Sequence, residues 1–99
     1  MIVASVVKPS FYRDSLTLLR LSRELKDRVD VDEVTALMGT PANKQLLAAA
    51  GLLTPEGDRA GPNDLVIAVR ARSSVEAQSA LVRAEAFFTE SRRALATAV

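Results

Sequence analysis

The run Leu65-Val66-Ile67-Ala68-Val69 is apolar on both alternating faces, so a strand built from it has no side to offer to water. Such a strand belongs in the middle of a sheet, and the rest of the chain has to supply its neighbours. Two other segments read as strands. Residues 2–8 carry Ile and several Val, which favour a pleated surface, and end at Lys8-Pro9-Ser10; residues 34–38 form a second apolar run.

Between and after these strands the apolar spacing becomes helical. A helix is predicted to begin near residues 10–14 and to run to about Arg28. Leu18, Leu21, Leu25 and Val29 recur on one stripe of it, and Leu16 and Leu19 widen that stripe. Arg20, Arg23, Glu24 and Asp27 fall mostly outside it, and Lys26 and Arg28 sit in the last turn, where the helix dipole favours cations. A short acidic link, residues 30–33, leads to the second strand. After Thr40 a helix is expected to about Ala50, stopped by Gly51 in a left-handed cap, with Leu52 and Leu53 folding back. Residues 54–63 contain Pro55, Gly57, Gly61 and Pro62 and read as a loop. Ser73 with Glu76 makes a capping box for the last helix, whose apolar face is Ala77, Ala80, Leu81, Ala84, Phe88 and Leu95.

The order strand, helix, strand, short helix, strand, helix fits one small domain over residues 1–99, a length sufficient for a single core. Two architectures satisfy it. The favoured one is an α+β, ferredoxin-like β-α-β-α-β-α layer pair. Its mixed three-stranded sheet carries the third strand antiparallel between the first two, with helices on one face. The fourth strand of that fold is then missing or supplied by another chain. The alternative is an all-parallel three-stranded α/β sheet with helices on both faces. In the favoured arrangement the valine-rich first strand is an unprotected edge, which implies a homodimer or contact with further protein.

Composition narrows the chemistry. Aromatic residues are 4% of the chain, so the core has to be aliphatic. With 13 basic and 12 acidic residues the formal charge is +1, and no field recruits nucleic acid or acidic membranes. The chain has neither cysteine nor histidine, which removes disulfides, thiolate zinc sites, cysteine nucleophiles, Ser-His-Asp triads and histidine metal ligands together. A general base has to be Asp, Glu or Lys. The amino terminus resembles no signal peptide and no stretch has transmembrane length, so the cytoplasm is the default location.

The stretch Met38-Gly39-Thr40-Pro41-Ala42-Asn43-Lys44 reads as a strand feeding directly into a helix start. Gly39 gives the turn, Thr40 the cap, and Pro41 fits the first helical position, where no N–H is needed. Free N–H groups there attract anions, and Asn43 and Lys44 add side-chain donors. The P-loop pattern is absent.

Three blocks carry a resemblance: Val7-Lys8-Pro9 with Tyr12-Arg13-Asp14-Ser15 and Leu18; residues 38–44 continuing through Leu46-Leu47 to Gly51-Leu52; and Gly61-Pro62-Asn63-Asp64-Leu65 through Ile67-Ala68-Val69-Arg70. In these blocks the chain resembles the amino-terminal domain of the FdrA family, proteins described as acyl-CoA synthetase-like. The resemblance implies a relative of the succinyl-CoA synthetase α subunit, with a CoA-binding Rossmann domain and a ligase domain beyond this region. CoA and a nucleotide are thus implied for the parent family and no cofactor for this chain. Phosphoryl groups in those ligases pass through a histidine, which this chain lacks, as it lacks the Gly-rich dinucleotide fingerprint. Some members are linked to oxamate carbamoyltransferase in allantoin breakdown, which suggests phosphate-bearing or carboxylate substrates.

The polar residues of these blocks permit two readings. In one they form an anion pocket: Gly39, Thr40, Ala42, Asn43 and Lys44 hold a phosphate or carboxylate, Lys8 and Arg13 add charge, and Asn63 and Asp64 lie beside them. In the other, Asp14 and Ser15 cap a helix, Asn63 and Asp64 shape a turn, and Lys8 is solvated. Asp30, Asp32 and Glu33 read as a solvated turn, Arg70 and Arg72 as surface, and Arg92-Arg93 as partner packing or linker. No catalytic or metal-ligating set emerges. The expected role is an accessory domain of an FdrA-type protein, in assembly with other subunits or in binding an anion. The competing readings are a small independent enzyme and a self-associating module without catalysis.

Overall fold

The computed structural model describes residues 2–28 and 31–97. The expected roles of Val29, Asp30, Ala98 and Val99 lie outside these described residues, as do those of the side chains of Ser15, Arg28, Arg92, Arg93 and Leu95. The elements are β1 (Ile2–Lys8), α1 (Ser15–Arg28), β2 (Glu33–Met38), α2 (Pro41–Ala49), α3 (Pro55–Arg59), β3 (Leu65–Ala71) and α4 (Ser74–Thr97). The strand order is β1-β3-β2. The doubly apolar run is therefore the central strand, with every residue of it buried.

Both ladders are antiparallel, with Lys8 and Met38 each opposite Leu65. This is the ferredoxin-like α+β arrangement, and it excludes the all-parallel alternative. It also corrects the expected mixed sheet: β1 and β2 do run in the same direction, but β3 separates them, so no parallel ladder forms. Helices on one face only are corrected as well. The long helices cover one face, where Leu18, Leu21 and Leu25 of α1 and Ala77, Ala80, Leu81, Ala84, Phe87 and Phe88 of α4 pack on Ile67, Val69 and Ala36. On the other face Leu47 of α2 joins Leu52, Ala60, Val66 and Ala68, with Val3, Val7, Leu37 and Leu53 partly buried around them.

Local rules account for most element ends. Asp14 caps α1, its carboxylate accepting from the Thr17 N–H and hydroxyl. Thr40 caps α2, its hydroxyl accepting from the Asn43 N–H at 3.2 Å. Gly51, at φ +74°, takes the left-handed position after α2, and the Leu52 N–H then donates back to the Leu47 carbonyl at 2.8 Å. The Glu76 N–H donates to the Ser73 hydroxyl at 3.3 Å, one half of the expected capping box.

Two expectations fail. Residues 54–63 are not wholly loop, because Thr54 accepts from the Gly57 N–H at 3.0 Å and starts α3, with Pro55 in its first turn. Leu16 and Leu19 do not widen the buried stripe of α1; they stand 66% and 51% exposed. Among the described residues no helix is long and apolar enough to cross a membrane.

Candidate functional site

The register puts the carboxyl ends of β1 and β2 and the start of β3 at one end of the sheet. The three corners there are joined through the main chain. The Gly39 N–H donates to the Asp64 carbonyl at 2.8 Å and the Phe11 N–H to the Asn63 carbonyl at 3.1 Å. The Asp64 carboxylate holds the corner after β1 and closes its own turn, accepting from the Ser10 N–H and the Gly61 N–H at 2.9 Å each. Ser10, at φ +49°, turns the chain after Pro9 to make this contact. Convergence of the three corners, anticipated only as possible, is thus a built feature centred on Asp64.

The polar groups at this end are largely engaged within the chain. The Thr40 hydroxyl caps α2, the Asn43 side-chain amide donates to the Met38 carbonyl at 2.9 Å, and the Lys44 ammonium donates to the Asp58 carbonyl at 2.7 Å. Ala42 is exposed in the first turn of α2, and Gly39 is buried at the corner. Asn63 contributes its carbonyl to Phe11. Lys8 and Arg13 gather elsewhere, around Phe11. The Lys8 ammonium lies 4.8 Å and the Arg13 guanidinium 4.0 Å from its ring centroid. Lys8 also pairs with Glu85 at 2.7 Å, and Arg13 donates to the Tyr12 carbonyl at 2.6 Å. This second cluster lines a groove of about 150 Å³ with Phe88 and Thr89. Arg13 and Asn43 meet in a larger groove of about 280 Å³ that runs between α1 and β2.

Sequence reasoning missed Phe11, Glu85 and Phe88 as partners of Lys8 and Arg13. Glu85 stands 77 positions from Lys8, and no local pattern links them. The Phe11 and Phe88 rings meet edge to face, 4.9 Å between centroids. At the far end of the sheet Arg70 binds the Asp32 carboxylate at 2.7 Å and the Ala50 carbonyl at 2.9 Å, fixing a cation at the end of α2. Glu33 pairs with Lys26 at 3.3 Å, so Asp32 and Glu33 of the acidic link are both engaged in ion pairs.

Two carboxyls lie below their ordinary range. For Asp64 the donors are the Ser10 N–H and then the Gly61 N–H, with a smaller contribution from the charge of Lys44 and an opposing one from desolvation. For Asp14 the Thr17 hydroxyl is the main cause. A folded-state pKa below the unfolded one contributes stability above the ordinary carboxylate range, and that stability is lost as pH falls through the folded value. Urea unfolding at pH 7 and pH 3 is expected to show the loss in the wild type and a smaller one in Asp64→Asn, which keeps the shape but cannot accept from both amides. Identical pH dependence in the two proteins would remove Asp64 as the pin of the three corners.

Over residues 1–98 the sequence matches the family described as "AllF, heavy metal-associated domain". The chain belongs to that family. It is also similar to the uncharacterized protein YahF of Escherichia coli strain K12, 35% identical over 88 residues, which make up 89% of this chain and 17% of that relative. The chain thus spans about a sixth of the length of this curated relative. No solved structure matches it. The heavy metal in the family's description does not fit the residues present. Soft metal ions take thiolate, thioether or imidazole donors; the chain has no Cys or His, and of its two methionines Met38, the one among the described residues, is buried in the core. Among the described residues no three Asp or Glu side chains gather to hold a metal either.

Proposed function

We propose that this family member is an accessory domain of an FdrA-type, acyl-CoA synthetase-like ligase or carbamoyltransferase component, and that it acts in assembly rather than in chemistry. Three features support the reading. The chain matches about a sixth of a longer relative. It carries no histidine or cysteine. The observation that carries it is the contrast in what is left unengaged. Thr40, Asn43 and Lys44 are satisfied within the domain, whereas Tyr12, Leu16, Leu19 and Leu46 remain exposed. Tyr12 and Leu19 line a groove on one side of β2 and Leu46 a groove on the other, and apolar grooves beside an open strand edge mark contact surfaces.

A second reading, anion binding at residues 39–44, is favoured by the charge that Lys44 places near Asp64 and by the α2 amides. Calorimetric titration of the chain with inorganic phosphate and with acetyl phosphate separates the two. The assembly reading expects no saturable heat at millimolar ligand. Saturable binding that disappears in Lys44→Ala would overturn it and assign the corner to a phosphate-bearing ligand.

A further inference from the structure

Strands β1 and β2 both have one free edge, and the surroundings of β2 are the more apolar. The Asp32 N–H donates to the Arg70 carbonyl at 2.8 Å, so the ladder begins one residue before Glu33. At the other end Gly39 turns in against Ala60 and Gly61. The edge between these ends is that of β2, Glu33–Met38, and Thr35 lies near its middle. Both faces beside this edge are grooved. Between α1 and β2 lies the groove of about 280 Å³ whose walls include Tyr12, Leu19, Ala36 and Met38. Between α2 and β2 lies one of about 340 Å³ whose walls include Leu37, Leu46, Leu47 and Leu52. Leu19 and Leu46, 51% and 59% exposed, thus stand on opposite sides of one edge strand.

We infer that this edge pairs antiparallel with β2 of a second copy, about a two-fold axis through Thr35. The Val34 N–H of this edge donates to the Glu33 carboxylate at 3.1 Å, and the Met38 carbonyl accepts from Asn43 at 2.9 Å. Such pairing therefore replaces the Glu33 carboxylate, satisfies the edge groups between these two, and sets alternate side chains over the two grooves. The axis stands perpendicular to the sheet, so each face meets its own kind: α1 lies beside the second α1, and α2 beside the second α2. Leu19 and Leu46 then enter the interface twice each. Charge selects this occupant. An antiparallel partner strand has to enter beside Arg13, which lines the Met38 end of the first groove, and it has to leave beside Asp32 and Glu33. β2 itself opens with those two carboxylates and ends beside its own Arg13, so a second copy complements the first. Lys26 and Arg70 already pair with Glu33 and Asp32, so Arg13 of the second copy joins existing ion pairs rather than meeting bare carboxylates. The β1 edge offers a groove on its α4 face, walled by Val6, Leu81 and Val82, but no exposed leucine. The proposed contact therefore lies on β2, whereas sequence reasoning favoured the β1 edge.

The inference rests on the assembly reading, yet each fails separately: phosphate titration tests that reading, and mass tests this pairing. Sedimentation of the 99-residue chain at ~100 μM is expected to give twice the chain mass. Leu19→Glu and, as a second variant, Leu46→Glu should each raise the dimer dissociation constant by at least about tenfold. Both positions are exposed in the single chain, so circular dichroism should be unchanged. Val82→Glu, beside β1, should leave the dimer intact. The chain has no cysteine, so Thr35→Cys places one thiol per copy. Across an antiparallel pair the two Cα atoms sit about 4.5–5.5 Å apart, within disulfide range, and mild oxidation should link the copies covalently. A monomer at this concentration, a dimer broken by Val82→Glu but not by Leu19→Glu, or a dimer that Thr35→Cys fails to cross-link would each overturn the pairing.

Discussion

Leu21→Ala is expected to lower the unfolding free energy by about 2–5 kcal/mol, the cost of deleting a fully buried leucine and leaving a cavity behind it. Domains of this size have only about 5–15 kcal/mol in total, so the variant should lose a large fraction of its stability. The side chain is wholly inaccessible and belongs to the cluster in which α1 and α4 press on β2 and β3. With aromatics at 4% of the chain, few large side chains are available to move into the space. At about 4–8 °C per kcal/mol for a chain of this length, the melting temperature should fall by about 8–40 °C. The internal control lies on the same helix. Leu16→Ala and Leu19→Ala, at exposed positions, should change the stability of the isolated monomer by no more than about 0.5 kcal/mol. Chemical denaturation of the three variants tests the assignment of faces directly. A Leu21→Ala protein within 1 kcal/mol of wild type would mean that α1 does not dock through the stripe containing Leu18, Leu21 and Leu25.

That contrast also marks how far the sequence could be read. The central place of β3 was legible because burial on both faces leaves an unbroken apolar run, and the stripe of α1 because three leucines recur at helical spacing. Leu16 was misread because an apolar residue near a stripe is not on it: at ~100° per residue it lies about 160° around the helix from Leu18. α3 was hidden by its glycine and proline. Yet Thr54-Pro55 repeats the Thr40-Pro41 pattern that was recognised as a helix start, so the signal was present. The covering of the second face could not be read, since it depends on how the α2–α3 connection crosses the sheet. The pairing of Lys8 with Glu85 is equally non-local. Of the candidate site, the convergence of three corners was legible as geometry that strand direction permits. That their donors are already engaged follows from distances no sequence prints. The same limit explains the shift of the proposed contact from β1 to β2. Composition showed a valine-rich edge strand, but only the fold shows which edge has exposed leucines on both sides.

Gly39→Ala should destabilise the domain by about 1–3 kcal/mol, the range for forcing extra volume into packed surroundings, although replacing glycine by alanine usually stabilises where the space and backbone allow it. A Cβ at Gly39 would stand 2.5 Å from the Gly61 carbonyl oxygen and 3.0 Å from the Ala60 Cβ. That oxygen cannot swing away freely, because it accepts from the Asp64 N–H at 3.0 Å. Relief therefore requires either the β2 corner or the Gly61–Asp64 turn to move, and both are tied to the same hydrogen bonds. The Gly39 N–H to Asp64 bond should weaken with the clash, and the lowered Asp64 pKa should move back toward the ordinary range as its donors separate. Gly57→Ala is the matched comparison: its nearest contacts are ordinary, at 3.4 Å and beyond, and within α3 alanine should be neutral or stabilising by up to about 1 kcal/mol. Urea unfolding of both variants, with the acid limb of stability followed below pH 5, reads the two effects together. If Gly39→Ala matches Gly57→Ala in stability and keeps the wild-type acid limb, the three corners are not locked through this glycine, and the end of the sheet is looser than its close contacts imply.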